Sequence, residues 1–375
     1  VIIIFQLFLF ITLTSCILLI EKQVNYIQNK DLGFDPESVL TFVYMKNSST
    51  ALKNEIEKQS YVKAISDGNT LFTEEIRYRD VILTETNTKI PTTVIQGNAD
   101  YLNVHGLKLL YGKNLNPSKL PNLKKFFDME RMKNRGIVEV LVNEEFVKRA
   151  NLKQPIGTTL EGETGKAVIV GVFKNVINSP LYYPMQPIII GYDFSFKANL
   201  FQVSIEKSHK NELLALVRKF YIDKGFEAII DILVRDKDYT SVYKKEFQLK
   251  NLLEAFTVIV LFISLLGMIA ISLFIAESRT KEIGVRKVNG ATIKEILTML
   301  NKDFIKWVLI AFIFACPISY YIMDNWLENF AYKTTLSWWV FILAGLFTLI
   351  ISLLAVSWQT YKAATQNPVK SLRDE

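Results

Sequence analysis

The sequence predicts a membrane protein in which a unit of four transmembrane helices carries a large α+β extracytoplasmic domain between the first and second spans. Three observations predict it. Half of the 375 residues are hydrophobic and 22% are charged, giving a mean hydropathy of +0.20. The apolar residues gather in four uncharged runs, 1–20, 255–276, 307–323 and 334–361, each long enough for a bilayer core, which needs about 17–25 residues per helix. Between the first two runs, residues 21–251 read as ordinary globular sequence with short strands and single helices, the pattern of an α+β domain. A soluble cytoplasmic enzyme and a disordered chain are both excluded by this distribution.

The first span covers residues 1–20. The chain opens on Val1 inside the apolar run, without a basic region ahead of it, and Leu18-Leu19-Ile20-Glu21-Lys22 lacks the small residues of a signal-peptide cleavage site. The expectation is a spanning helix whose cytoplasmic lead-in precedes Val1, in a fragment of a longer protein. A polar helical extension follows over 21–29, with apolar Val24 and Ile27, until Gly33 and Pro36 break it.

Within the outer domain, 21–251, runs rich in Val, Ile and aromatic residues predict strands at 39–44, 81–84, 92–96, 139–143, 167–173, 187–192 and 201–205. Helices are predicted at 51–59, 98–104, 144–150 and 210–224. The domain carries 33 Lys/Arg against 28 Asp/Glu and no basic stripe interleaved with aromatics, so no nucleic-acid partner is expected. It has no H-E-x-x-H, G-x-S-x-G or C-x-x-C. His105 and His209 stand alone and read as surface or loop residues rather than ligands. Gly162-Glu163-Thr164-Gly165-Lys166-Ala167 is too short for a phosphate loop and lacks its Ser/Thr, and a hairpin turn between Leu160 and Val168 is the better reading. Cys16 and Cys316 both fall within apolar runs, as small buried hydrophobes rather than a disulfide or metal pair. No catalytic residue, metal or cofactor is expected, and the domain reads as a binding or mechanical module.

The remaining segments are a second span at 252–276, a loop at 277–306, a third span at 307–323, a short outer loop at 324–335, a fourth span at 336–358 and a tail at 359–375. Orientation follows from Lys/Arg in short loops. The 277–306 loop has seven and the tail after Tyr361 has three, whereas 324–333 has one. The loop and the C-terminus are therefore expected in the cytoplasm of a multi-pass plasma-membrane protein, and the large domain outside. Glu254, near the outer end of the second span, is expected at the interface.

The 277–306 loop holds the densest information. Arg279-Thr280-Lys281-Glu282-Ile283-Gly284-Val285-Arg286-Lys287-Val288 predicts a short basic amphipathic helix stopped by Asn289-Gly290, a pair tolerant of left-handed backbone. A second helix starts at Thr292 as N-cap with Glu295 at its third position, and Ile293, Ile296, Leu297, Leu300 and Phe304 recur at helical spacing into the third span. Ile283 and Val288 among charges of both signs, with glycines at 284 and 290, suit protein docking better than a lipid anchor.

The stretch 279–292 resembles the coupling segment of FtsX-like permeases, the membrane subunits of MacB-type ABC transporters, with Val288 and Asn289 departing from the pattern. Asn367-Pro368-Val369-Lys370-Ser371-Leu372-Arg373 is similar to the segment that closes these proteins. Asp100-Tyr101-Leu102, Gly106-Leu107-Lys108-Leu109-Leu110-Tyr111-Gly112-Lys113, Val140-Leu141-Val142-Asn143-Glu144, Pro155-Ile156-Gly157 and Ile169-Val170-Gly171-Val172-Phe173-Lys174 resemble motifs of the MacB-like periplasmic core domain, in order. Phe5-Gln6-Leu7-Phe8-Leu9-Phe10 with Asn29-Lys30-Asp31-Leu32-Gly33-Phe34-Asp35 looks like the start of the second half of a two-repeat permease.

The resemblance implies ATP hydrolysis in a separate cytoplasmic ABC ATPase, a second permease copy or half, and periplasmic or outer-membrane partners beyond the bilayer itself. It also implies an ATPase-coupling site at Arg279, Lys281, Glu282, Ile283, Gly284, Val285, Arg286, Lys287, Val288, Gly290 and Ala291, through which ATP-driven motion reaches the outer domain for export or envelope processes. A membrane-anchored sensor or scaffold regulating a cell-envelope enzyme is the rival reading.

Overall fold

The structure is a computed structural model that describes residues 2–43, 49–73, 78–117, 137–162, 165–191, 200–226, 234–235, 242–279, 282–283, 285–286 and 289–365. It divides into a membrane unit, residues 1–29 with 243–375, and an outer unit, residues 30–242.

The membrane unit holds four long helices: α1 (Ile2–Asn29) and, after the outer unit, α6 (Lys244–Ser278), α7 (Ile293–Leu327) and α8 (Trp338–Thr365). Each is long and apolar enough to cross a membrane. Helices are the natural solution there, because every backbone polar group is satisfied within the segment. Leu7 and Ile11 of α1, Met268 of α6, Phe304, Val308, Ala311 and Ala315 of α7 and Val356 of α8 form one buried cluster. Leu19, Ile20 and Val24 meet Met323, Val340 and Phe341 in a second. By contrast, Phe256, Ile259, Phe262 and Leu266 on α6 and Ile313, Phe314 and Tyr321 on α7 are exposed apolar side chains, as expected of helix faces solvated by lipid. Cys16 and Cys316 are free thiols. Glu254 is paired with Lys250 at 3.6 Å, and Lys250 also reaches Glu21 at 3.3 Å. α1 runs unbroken through the expected polar extension to Asn29.

The outer unit contains two sheets. Strands β1 (Val39–Val43), β2 (Val62–Asp67), β10 (Leu200–Ile205) and β11 (Val234–Arg235) form an antiparallel sheet in the order β11-β1-β10-β2. Helices α2 (Ser49–Glu57) and α5 (Lys210–Asp223) cover it, burying Leu52, Ile56, Leu213, Val217 and Tyr221 against Leu40, Phe42, Phe201 and Val203. The Tyr221 hydroxyl donates to the Val43 carbonyl.

The second sheet contains β3 (Tyr78–Leu83), β4 (Lys89–Gln96), β5 (Leu109–Gly112), β6 (Val138–Asn143), β7 (Thr159–Gly162), β8 (Gly165–Phe173) and β9 (Ile188–Gly191). Its order, β5-β8-β6-β9-β4-β3-β7 with a further β8–β7 pairing, closes it on itself. Leu83 pairs with Leu160 across β3–β7, Leu160 with Ala167 across β7–β8, and Val140 with Ile169 across β8–β6. The sheet is thus a barrel extended by β5, and closure removes most of its free edges. Val81, Leu83, Ile90, Val140, Val142, Leu160, Ile169 and Ile189 form its core together with Phe146 of α4 (Glu144–Arg149). Gly162 stands opposite Gly165, so the glycine-rich stretch expected as a turn does join two hairpin strands.

The strands and helices expected in the outer unit are all present, with shifted ends. β2, β5, β7 and β11 were not among them. The helix expected from residue 98 starts later, as α3 (Tyr101–His105), because the Asn98 side chain accepts from Ser66 Oγ at 2.8 Å and from the Asp100 amide at 2.9 Å. Gly106 ends it in the left-handed region at φ +65°.

The two sheets meet where Gly68 forms an isolated antiparallel bridge with Gly97. Around it, the Gly68 amide donates to Leu200 O at 3.1 Å, Asn69 N to Gln96 O at 2.9 Å, Gln202 Nε2 to Gly68 O at 2.7 Å and Tyr101 OH to Asn69 O at 2.8 Å.

His105, expected as a surface or loop residue, is instead buried within α3, at 5% exposure. Its ring lies 4.4 Å from that of Tyr101 and edge-on to Phe34 at 6.4 Å. The apolar positions around it, Leu102, Val104 and Leu107, carry α3 inward and take the histidine with them. Burial pushes its pKa down from 6.5 to about 3. An unfolded chain therefore takes up this proton first, so the outer unit loses stability as pH falls from about 6.5 toward 3, by on the order of 1 kcal/mol per pH unit. His105→Leu should flatten that dependence, and denaturant midpoints of the two proteins at pH 7 and pH 4.5 would show it.

Candidate functional site

The expected coupling segment is the link between α6 and α7. Around it, Arg279 N donates to Ile275 O at 3.1 Å, Ile283 N to Arg279 O at 2.9 Å and Asn289 N to Val285 O at 3.0 Å, each bond spanning four residues as in a helix. The stop falls where the sequence places it. Gly290 has φ +87°, and Ala291 N reaches back to Arg286 O at 2.9 Å. That pairing of a left-handed residue with a six-to-one hydrogen bond is the Schellman arrangement.

The chain re-enters a helix at once. Thr292 Oγ1 accepts from Glu295 N at 3.3 Å, and a Glu295 carboxylate oxygen accepts from Thr292 N at 2.9 Å. This reciprocal capping box satisfies two free amides and places a negative charge at the positive end of α7. Thr292→Ala should cost about 1 kcal/mol of local stability, read as faster hydrogen exchange at the Glu295 amide. α7 then extends from Ile293 to Leu327. The end of the expected coupling segment and the third apolar run therefore share one helix, which contains Pro317.

The two faces of the segment differ. Ile283 is 6% exposed and packs on Ile296 and Leu300, flanked by Ile275 and Met299. Its side chain, expected from the sequence within the coupling site, lies on the side of the segment that faces α7. Arg279 adds a second tie, 3.5 Å from Asp303, which Lys306 also approaches at 3.7 Å.

The outward side chains are Val285, 52% exposed, and Glu282 with Arg286, joined at 2.8 Å one helical turn apart. Exposed Asn289 and Gly290 lie beyond them, and Ala291 is half-buried. Lys281, Gly284, Lys287 and Val288 lie outside the described residues, as does the closing motif 367–373. The structure thus brings together Arg279, Glu282, Ile283, Val285, Arg286, Gly290 and Ala291 on one short projection.

Asp303 was missed in the sequence; its signal is a lone acid on the inward side of a basic stretch. Gln23 was missed too. It stands in the buried stripe Cys16, Leu19, Ile20, Gln23, Val24, Ile27 of α1, so its signal is a polar residue at helical spacing within an apolar face. Among the described residues no cluster of His, Cys, Asp or Glu could hold a metal ion. The described part of the segment presents an exposed apolar side chain, Val285, beside the Glu282–Arg286 ion pair.

Residues 254–368 match the family model of the FtsX-like permease C-terminal domain. Over 289 residues the chain is 24% identical to the "Uncharacterized ABC transporter permease YknZ" of Bacillus subtilis strain 168, covering 74% of this chain and 69% of that protein. Among solved structures, the periplasmic region of MacB from Actinobacillus actinomycetemcomitans aligns with 52% of this chain and 89% of its own length, at 14% identity and a TM-score of 0.35. The extracellular domain of the ABC-type transporter YknZ from Gram-positive bacteria aligns with 50% of this chain and 94% of its own length, at 12% identity and a TM-score of 0.32.

Proposed function

We propose, from the premise that residues 254–368 are an FtsX-like permease domain, that this membrane protein is the permease subunit of a MacB/FtsX-type ABC system. It passes ATP-driven motion from a cytoplasmic ATPase to the outer unit. One observation carries the reading: the segment between α6 and α7 holds an exposed Val285 between charges on one face and is anchored by buried Ile283 on the other, directly against a helix that continues through the membrane.

In this reading the 277–306 segment and the tail are cytoplasmic, the outer unit is extracytoplasmic, and two copies or halves of the permease act together. Closure of the ATPases displaces Glu282, Val285 and Arg286, with Arg279, Lys281, Lys287 and Val288 completing the docking surface. Gly284, Gly290 and Ala291 allow close approach of the two backbones. Ile283 and the Arg279–Asp303 pair transfer the displacement to α7, and no cofactor bound to this chain takes part. The test is to assemble the chain with its ATPase in lipid nanodiscs. ATP turnover should rise severalfold over the ATPase alone, and an unchanged turnover with no stable complex would refute the assignment.

Transported substrate against regulated wall enzyme is a question of output. In the described parts of the four spans, charged residues gather toward the helix ends, as Glu254, Lys302 and Asp303 do. That pattern supports work done by the outer unit rather than passage along a polar channel between the helices. Sensitivity of a loss-of-function strain to antimicrobials would identify an exporter, and a defect in envelope shape or wall cleavage a regulator.

A further inference from the structure

We infer that Gln23 and Lys22 fasten the loop between α7 and α8 to α1, and that this clamp is the point at which movement of α7 is handed to the helix that enters the outer unit. The inference rests on the transmission reading above and deepens it. Gln23 is fully buried, amid Leu19, Ile20 and Val24, which pack with Met323, Val340 and Phe341. A carboxamide there is unfavourable unless both of its ends are hydrogen-bonded.

Both ends are satisfied by the loop backbone: Nε2 donates to the Tyr332 carbonyl at 3.0 Å, and Oε1 accepts from the Thr334 amide at 2.8 Å. Lys22, one residue earlier, donates to Thr335 O at 2.8 Å and Ser337 Oγ at 2.7 Å, and its ammonium lies 5.8 Å from the centre of the Trp339 ring.

Lifting the loop from α1 would strand a buried amide and also two backbone groups of a segment that has no helix or strand of its own. The loop therefore moves with α1. It also moves with α7, whose end it follows, and α7 is the helix to which the docking projection is packed. α1 in turn leads the chain into the outer unit at Lys30.

The charged tie between α6 and α1 at this level is of another kind. Lys250 and Glu21 are 3.3 Å apart with side chains 22% and 46% exposed, a solvent-screened pair that constrains little. Coupling requires an element that both ends bias. The clamp makes α1, the loop and α7 such an element, beside the direct connection that α6 makes between the segment and the outer unit.

The experiment uses the full chain with its ATPase in nanodiscs and measures ATP turnover together with hydrogen exchange, with and without ATP. Gln23→Leu keeps the volume and removes both bonds. It should speed exchange at the Thr334 amide tenfold or more, keep ATP turnover within twofold, and shrink the ATP-dependent exchange difference over residues 30–242 at least fivefold. Lys22→Met should act in the same direction, by at least twofold.

An undiminished ATP-dependent difference in the outer unit, with the Thr334 amide released, overturns the inference. Should Gln23→Leu fail to insert, Lys22→Met decides alone: its twofold loss supports the clamp, and an unchanged response rejects it. If the unaltered protein shows no ATP-dependent difference in residues 30–242, it is the transmission reading that has failed, which separates the two failures.

Discussion

Val285→Asp should strip the ATPase from the permease, lowering the amount co-purified at least about tenfold, equivalent to about 1.4 kcal/mol or more of binding free energy. Val285 is the described apolar side chain of the projection that faces outward, between Glu282 and Arg286. An aspartate there puts an ionised carboxylate into the centre of a contact surface, where desolvation is most costly. Because Val285 is 52% exposed and belongs to none of the buried clusters of the described residues, the four spans should still insert and the Glu295 amide should stay protected by its capping box.

Ile283→Asp offers the contrast. That position is buried on Ile296 and Leu300, so a charge detaches the segment from α7 and should expose residues 279–292 to protease. Loss of the ATPase in both variants, with proteolysis in the second alone, would distinguish the docking face from the anchoring face.

Gly68→Ala should unfold the outer unit or come close to it. Gly68 holds φ +151°, a conformation that L side chains rarely adopt, and a Cβ there would lie 2.2 Å from the Gln96 carbonyl oxygen and 3.1 Å from Gly97 Cα. Neither obstacle is a flexible side chain, so the backbone of the crossing must move. Its bridge to Gly97 and the Gln202 bond to Gly68 O would go with it. Strain and overpacking are each worth about 1–3 kcal/mol, and their sum is a large part of the stability of an ordinary domain, about 5–15 kcal/mol. Pulse proteolysis of the full chain in urea, scored on fragments from residues 30–242, should show a lower midpoint, with the membrane helices unaffected.

What the sequence discloses and what it conceals divide along physical lines. The spans are legible because a bilayer imposes both length and composition on one continuous stretch. The turn at Gly290 and the restart at Thr292 are legible because caps are made by residues three to five apart, as the Glu295 and Ala291 hydrogen bonds show. Strands such as β6 and β8, buried and rich in valine and isoleucine, announce themselves in the same way.

Closure of the barrel does not, since it depends on Leu83 meeting Leu160 from strands that are far apart in the chain. β2, Val62–Asp67, is concealed by a lysine, an alanine and an aspartate within six residues, and it becomes a strand because β10 pairs with it. The inward turn of Ile283 and the burial of His105 and Gln23 are tertiary facts too. Each is decided by the surface that packs against the helix, and a local pattern can show only that a residue is out of keeping with its neighbours.

Transmission itself is tested most directly by hydrogen exchange over residues 30–242 in the unaltered permease, bound to a hydrolysis-deficient ATPase and compared with and without ATP. Motion passed through α7 and α1 requires exchange in the outer unit to change when ATP is held at the far side of the membrane. Identical exchange in the two states, with ATP demonstrably bound and the complex intact, would contradict it.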